Sequence, residues 1–349
     1  MIELPLALVE RWPMDEYRLQ HQSLVSALKH NVSDALLIMS ELEKLRGQIT
    51  GIDDKVEKIR DKRLAPLITE KEERLFRLIK FSDYSAMIMA AWPQSTFMTY
   101  DDWFEQRDQL TNSVLIRGIS KGKVIQWCQT NQRDFYFIET GYLGNYPSAN
   151  NRTGRKIYHR IVRNDMQHRK IWNVPADRLE KLWNVVPYLR YRGWRHPGKN
   201  ILLVLNTEKP FKFYGQDRQA WIDSTIATIR QHTDRPIIVR DKAGRQERTN
   251  DTIYDAFQQD IHAVVCYNSI AAVEAVAAGI PAFALAPTAA EPVASNDLTK
   301  IETPYRPDTD LVMAWLCSIA YGQFSLDEII TGRAWALVQE NRQREYINC

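Results

Sequence analysis

The sequence predicts an α/β protein of two Rossmann-like domains behind an N-terminal α-helical hairpin or coiled-coil arm. Three observations carry this. Residues 17–80 are almost free of aromatics and place apolar residues at helical spacing, whereas from residue 84 short apolar runs alternate with amphipathic stretches. The 349 residues, 44% hydrophobic and 26% charged, also exceed what one core holds, because single cores stop growing near about 250–300 residues. The expected division is an arm over 1–83, a first α/β domain over 84–198 and a second over 199–349.

In the arm, Leu24, Leu28, Val32, Ala35, Met39, Leu42 and Leu45 step by three or four, and Ile49, Ile52, Val56 and Ile59 continue the seam. Such a stripe is narrow and suits long paired helices. Gly47, Gly51 and Pro66 interrupt it, which favours a hairpin or short coiled coil over one rod. The seam packs on the protein's own body or joins copies in a homo-oligomer, and both readings stay open.

In the first domain, SAMIMAA (Ser85–Ala91) and SVLIRG (Ser113–Gly118) read as strands, ISKGKVIQWCQTN as a helix and DFYFIETGY (Asp134–Tyr142) as a strand with its exit loop. Strand, helix, strand implies a βαβ unit. Residues 143–200 read as loop, basic and aromatic. The second domain alternates more clearly: NILLVLN, PIIVR, AVVCY and PAFAL are strands, and DRQAWIDSTIATIRQHT, TIYDAFQQ and IAAVEAVAAG are helices. Leu311–Ala320, Leu326–Thr331 and Arg333–Arg344 close the chain as helices.

Several function classes lose support. No apolar run approaches the ~20 residues of a membrane span. The N-terminus carries acidic residues where a secretory signal is basic, so a cytoplasmic protein is expected, in the host cytoplasm if phage-encoded. Cys128, Cys266, Cys317 and Cys349 lack CxxC spacing, so neither a zinc knuckle nor a disulfide framework is indicated. No P-loop or GxGxxG string occurs, and no permanently bound cofactor or metal is expected. Asp308-Thr309-Asp310 spells a DxD, but its place before a helix points to N-capping.

The sharpest segment is YNSIAAVEAVAAGIPAFAL, Tyr267–Leu285. A strand ends, Asn268 and Ser269 stand where a helix begins, and Glu274 follows within it. Free backbone N–H groups and a positive dipole end suit a phosphate there, with Glu274 able to accept hydrogen bonds from a ribose. An ordinary βαβ turn whose Asn and Ser only cap the helix explains the same spacing. With its polar residue, Ser, Glu-Ala and Gly-x-Pro, the segment resembles the nucleotide-sugar half of GT-B glycosyltransferases of the capsule-polysaccharide and sialyltransferase-like group. Residues from about 113 to 340 are similar to uncharacterised phage-type proteins of that architecture, through LIRGISKGK, DFYFIETGY, YHRIVRN, TDRPIIVRDK, YNSIAAVEAVAAGIP, IETPYRP and YGQFSLDEI.

The resemblance implies a GT-B-like, metal-independent transferase with a nucleotide-sugar as co-substrate. It also implies that the basic stretch at Arg240 and Lys242 faces the donor diphosphate. The related Lys-Pro-His-Pro-like loop is absent here, and Asp241 separates the two cations. Cations at a strand's carboxyl end neutralise a leaving pyrophosphate. Opposite, Glu139 ends DFYFIE, where an α/β fold places reactive groups, and can take the proton of an acceptor hydroxyl; a structural hydrogen bond or ligand contact is the competing reading. Arg117 and Gly118 form the equivalent strand-end turn and are candidate phosphate contacts. His159 is the alternative base, with Asp165 nearby, and a purely structural histidine is the competing reading.

The net charge of +3 hides an asymmetry. Residues 151–200 hold 13 basic and 3 acidic side chains, between acidic neighbours. Arg152, Arg155, Lys156, Arg160, Arg163 and Arg195 interleave with rings such as Trp194, the mixture a polynucleotide surface needs. The leading expectation is therefore a transferase that moves a sugar onto a 5-hydroxymethylpyrimidine in DNA, with DNA as partner and no membrane. A transferase acting on a surface polysaccharide or other glycan is the alternative. A non-catalytic nucleic-acid or virion-associated binding protein of the same fold is the third reading.

Overall fold

The computed structural model describes residues 6–9, 92, 95–145, 158–186, 189–241, 252–325, 328–329 and 331–347. The expected arm over 17–80, the SAMIMAA strand, and Arg152, Arg155, Lys156 and Lys242 lie outside the described residues. So does half of the Leu326–Thr331 helix. The chain divides into two units: residues 1–117, 146–157 and 325–337, and residues 118–145, 158–324 and 338–349.

In the first unit, β1 (Leu6–Val9) runs parallel to both β2 (Thr96–Thr99) and β3 (Val114–Arg117). The segment expected to belong to the arm is thus a strand from Leu6 to Val9. Its partners stand far along the chain, and a run this short carries no period of its own. Thr99 caps α1 (Tyr100–Gln106) by accepting from Asp102 N at 3.1 Å, and Trp103 is buried.

The second unit begins with a 3-10 turn, Ile119–Lys121, and α2 (Gly122–Thr130), which buries Val124, Ile125 and Cys128. Next, β4 (Phe135–Thr140) pairs antiparallel with β5 (Tyr158–Arg163), so that Glu139 faces Arg160 and Thr140 faces His159. Residues 143–200 are therefore not simply loop, since they hold β5 and α3 (Asp177–Val185). The charged letters of YHRIVR hide the strand, yet His159, Arg160, Ile161 and Val162 are all buried. In α3, Leu179, Leu182 and Trp183 make the buried stripe.

The remaining elements follow the expected alternation. They are β6 (Asn200–Val204), α4 (Glu208–Phe213), α5 (Arg218–His232), β7 (Ile237–Arg240), α6 (Ile253–Ala256), β8 (Ile261–Cys266), α7 (Ala271–Ala277) and β9 (Ala282–Ala284). Only α4 is unanticipated; its EKPFKF is too short and charged to show a helical period. The four strands are all parallel, in the order β7-β6-β8-β9. Ile201, Leu203, Ala263, Val265 and Phe283 pack against Ile222 and Ile229 of α5. Burial on this scale is the main favourable term in such a sheet, at roughly 25 cal/mol per Å² of apolar surface.

The chain ends through α8 (Thr309–Tyr321), β10 (Gln323–Ser325) beside β5, and α9 (Arg333–Asn341). Asp308 caps α8 by accepting from Leu311 N at 2.8 Å, as the DxD spacing predicts. Among the described residues, no helix is long and apolar enough to cross a membrane.

Candidate functional site

A parallel sheet of order β7-β6-β8-β9 reverses direction once. From β6 the chain moves to β7 on one side, then returns to build β8 and β9 on the other. The switch therefore lies between β6 and β8, and open α/β sheets bind ligands outside the strands' carboxyl ends at such a point. Asn206 and Asn268 stand at that point, and Asn206 Nδ2 donates to Asn268 Oδ1 at 3.0 Å.

The surrounding residues fix this pair. Arg218, at the start of α5, donates from Nε to Asn206 O at 2.8 Å and from NH2 to Oδ1 and Oδ2 of Asp241 at 2.7 and 2.8 Å. The aspartate that separates Arg240 from Lys242 in sequence is thus the anchor of Arg218. Tyr214, just past α4, hydrogen-bonds Asn268; burial first, then the charge of Asp165, pushes its phenol up to about 12, so it stays protonated at neutral pH. Beneath, Phe211 stacks on Tyr267 with ring centroids 4.4 Å apart.

Ser269 Oγ accepts from Ala271 N at 3.2 Å, while the N-cap of α7 is Ile270 and has no side-chain cap bond. Glu274 is buried at 2% exposure, as is every residue of α7. Arg240 closes β7 half-buried, and its carbonyl accepts from Leu205 N at 2.9 Å. Gly279 takes φ +75° after α7, with its Cβ position 2.3 Å from Gly193 O, so only glycine fits there.

The 3-10 turn and α2 lie against the end of α4. A Cβ on Gly122 would meet Phe213 Cδ2 at 2.8 Å, and Gln126 Nε2 donates to Phe213 O at 3.4 Å. The same turn carries Gly118 (φ +76°), whose Cβ position is 3.4 Å from Glu139 Oε2. Two residues picked separately from sequence are therefore neighbours. Glu139 is half-buried, and its Oε1 accepts from Thr140 N at 2.8 Å. Arg117 closes β3 and is also half-buried.

The loop after Glu139 is held rigidly. Gln323 Oε1 accepts from Tyr142 N and Leu143 N at 2.8 and 2.9 Å, and its Nε2 donates to Leu143 O at 3.1 Å. Asn145 Nδ2 donates to Gly141 O and to Tyr158 O, both at 3.1 Å. Gly141 lets β5 approach, since a Cβ would sit 2.8 Å from the Tyr158 side chain. His159 is fully buried within β5. Asp165 Oδ1 accepts from Met166 N and Gln167 N at 2.6 and 3.2 Å, and Oδ2 accepts from Arg169 Nε at 2.9 Å. Arg169 NH1 reaches on to Glu291 Oε2 at 3.5 Å.

Among the described residues of the basic segment, the expected polyanion contacts are bound to the protein itself. Arg160, 6% exposed, donates to Met166 O and Thr140 O at 3.1 and 2.8 Å and lies over the Phe137 and Tyr142 rings. Arg163 pairs with Asp134 at 2.5 Å. Arg195 donates to Ala278 O and Phe257 O at 2.8 and 3.0 Å, the carbonyl ends of α7 and α6, and Trp194 Nε1 donates to Pro307 O at 2.8 Å. Arg178, similarly, donates to Ala320 O and Gln323 O, at 3.1 and 2.8 Å. Guanidinium groups on helix carboxyl ends satisfy orphan carbonyls and oppose the dipole.

Asn206, Tyr214, Arg218 and the Arg169–Glu291 pair are not singled out by sequence. A signal does exist: LLVLN and VVCYN both end an apolar run on Asn. Pairing the two requires the strand order. Among the described residues, no group of three or more His, Cys, Asp or Glu could hold a metal ion.

No protein-family model matches the chain, and no curated protein matches it. Among solved structures it is similar to Thermosulfurimonas dismutans KpsC, beta Kdo 2,7 transferase, at 14% identity and TM-score 0.43, over 75% of this chain and 97% of that one. It is also similar to the KpsC beta Kdo 2,4 transferase of the same organism, at 12% identity and TM-score 0.41, over 66% and 85%. Likeness this distant carries no argument about activity or family.

Proposed function

We propose that this protein is a glycosyltransferase that takes a sugar from a nucleotide-sugar donor and transfers it to a hydroxyl of a glycan. One observation carries the reading: the parallel sheet has its single switch point between β6 and β8, where Asn206 and Asn268 are hydrogen-bonded at 3.0 Å. The nucleotide occupies that point, with Asn268 and the protonated Tyr214 as its polar contacts and Arg240 toward the diphosphate. The sequence resemblance to nucleotide-sugar transferases over the same strand and turn supports the assignment. Ser269 and Glu274 shape the turn and helix that follow β8.

Glu139 is the base for the acceptor hydroxyl, with Gly118 giving the acceptor or a donor phosphate close approach. Removing that proton as the new bond forms is general-base catalysis, worth about 10²–10⁴-fold in rate. A glycan is the favoured acceptor over hydroxymethylated DNA because Arg160, Arg163, Trp194 and Arg195 are committed to the protein's own groups.

Incubation with a panel of nucleotide-sugars, offering short glycans in one arm and hydroxymethylated duplex DNA in the other, followed by mass analysis, tests this. A mass gain of one sugar on a glycan is expected, and Glu139→Gln should lower its rate at least about 100-fold. Gain only on DNA transfers the reading to the nucleic-acid acceptor. A folded protein that modifies neither acceptor with any donor is a binding protein.

A further inference from the structure

Beside the switch point lies a charge cluster with no part in the sheet. Asp165 follows β5, Arg169 stands four residues later, and Glu291 begins the 3-10 turn Glu291–Val293 after β9. Arg169 Nε binds Asp165 Oδ2 at 2.9 Å, whereas its NH1 reaches Glu291 Oε2 only at 3.5 Å. The first bond is well made: Asp165 is held by two backbone N–H groups as well. The second is long, and Glu291 is 54% exposed at its side chain, Arg169 42%. The β9 exit that leads to Glu291 runs beside the end of β8, where Ala286 N donates to Tyr267 O at 2.9 Å, and the charges of Asp165 and Arg169 both act on Tyr214, which hydrogen-bonds Asn268.

The loop that presents Glu291 is firm. Trp315 Nε1 donates to Ala289 O at 2.8 Å, and Glu291 N donates to Thr288 O at 3.2 Å. The carboxylate thus extends from a fixed backbone towards a cation that already has its permanent partner. A guanidinium has five donors in a planar fork, and Asp165 engages one edge only. Two carboxylates around one cation also leave the cluster with a net negative charge, which repels an incoming anion.

We propose that Arg169 binds a phosphate of the nucleotide ligand and that Glu291 competes with that phosphate for the guanidinium. This rests on the reading of the switch point as a nucleotide site. Binding exchanges one weak, exposed ion pair for a charge-assisted bond to phosphate, with Asp165 still orienting the guanidinium. Glu291 then lowers affinity for every anionic ligand, and only through Arg169.

A double-mutant cycle isolates this. Cytidine 5′-monophosphate, uridine 5′-diphosphate and guanosine 5′-diphosphate are titrated calorimetrically into the wild-type chain, Glu291→Gln, Arg169→Gln and the double variant. Each position is more than two-fifths exposed, so the folds should be kept, and circular dichroism checks this. For any nucleotide that binds, Glu291→Gln should tighten binding about two- to fivefold, the scale of an exposed ion pair. Arg169→Gln should weaken it about tenfold or more. In the Arg169→Gln background the gain from Glu291→Gln should vanish. A gain of equal size in both backgrounds means Glu291 acts through its field alone and overturns the proposal, as does unchanged binding in all variants; either leaves the nucleotide reading intact. Absence of binding to the wild-type chain overturns that reading and this one together.

Discussion

At the scale of single residues, the basic segment shows how an identical composition serves opposite ends. Thirteen cations in fifty positions suggest a polyanion surface, yet Arg160 is buried with its guanidinium on two carbonyls and two rings. Arg160→Met should therefore destabilise the fold by about 2–4 kcal/mol, read as a lowered urea midpoint, because two carbonyls lose a charged donor. A polyanion-binding arginine would leave the midpoint unmoved. His168 is a second case. Its Nε2 lies 2.6 Å from Ser318 Oγ, and complete burial holds its pKa down, at about 3. The folded imidazole stays neutral while the unfolded one takes a proton below about pH 6.5, so stability present above that pH is lost as pH falls towards 3. Urea titrations of the wild-type chain and His168→Gln should show the wild type losing about 2 kcal/mol more between pH 7 and pH 5. Equal losses would mean that His168 titrates normally.

At the scale of elements, β3, β4, α2 and, from β6 to α8, every strand and all helices but α4 were legible because apolar runs and capping residues stand next to each other in sequence. The strands β1, β2, β5 and β10 were not. Each is either very short or disguised by charge, and each exists through pairing with a distant partner, as Glu139 with Arg160. The candidate site divides the same way. Asn268 and Glu139 were readable from strand ends, but Asn206, Tyr214 and Arg169 join them only through strand order and loop packing. The α7 terminus is a local device that did show in sequence, as Gly-Ile-Pro. Gly279→Ala must place a Cβ 2.3 Å from Gly193 O at φ +75°, so it should cost more than about 2 kcal/mol in a thermal or urea melt. A loss below about 0.5 kcal/mol would show that residues 193–195 move away from α7 freely.

At the scale of the whole molecule, the parallel sheet and its switch point organise everything claimed for function. The chain's near-neutral charge conceals arginines that fasten helix ends, as Arg195 ties together the carboxyl ends of α6 and α7. The proposed base, Glu139, and the proposed ligand contact, Asn268, both stand at strand ends, which is how one architecture accepts varied chemistry. Hydrogen exchange followed by mass spectrometry, with and without a saturating nucleotide found by titration, tests the central claim most directly. Residues 205–207 and 267–270, at the ends of β6 and β8, should gain protection when the nucleotide binds. Protection confined to other parts of the chain, with these two strand ends unchanged, would contradict it.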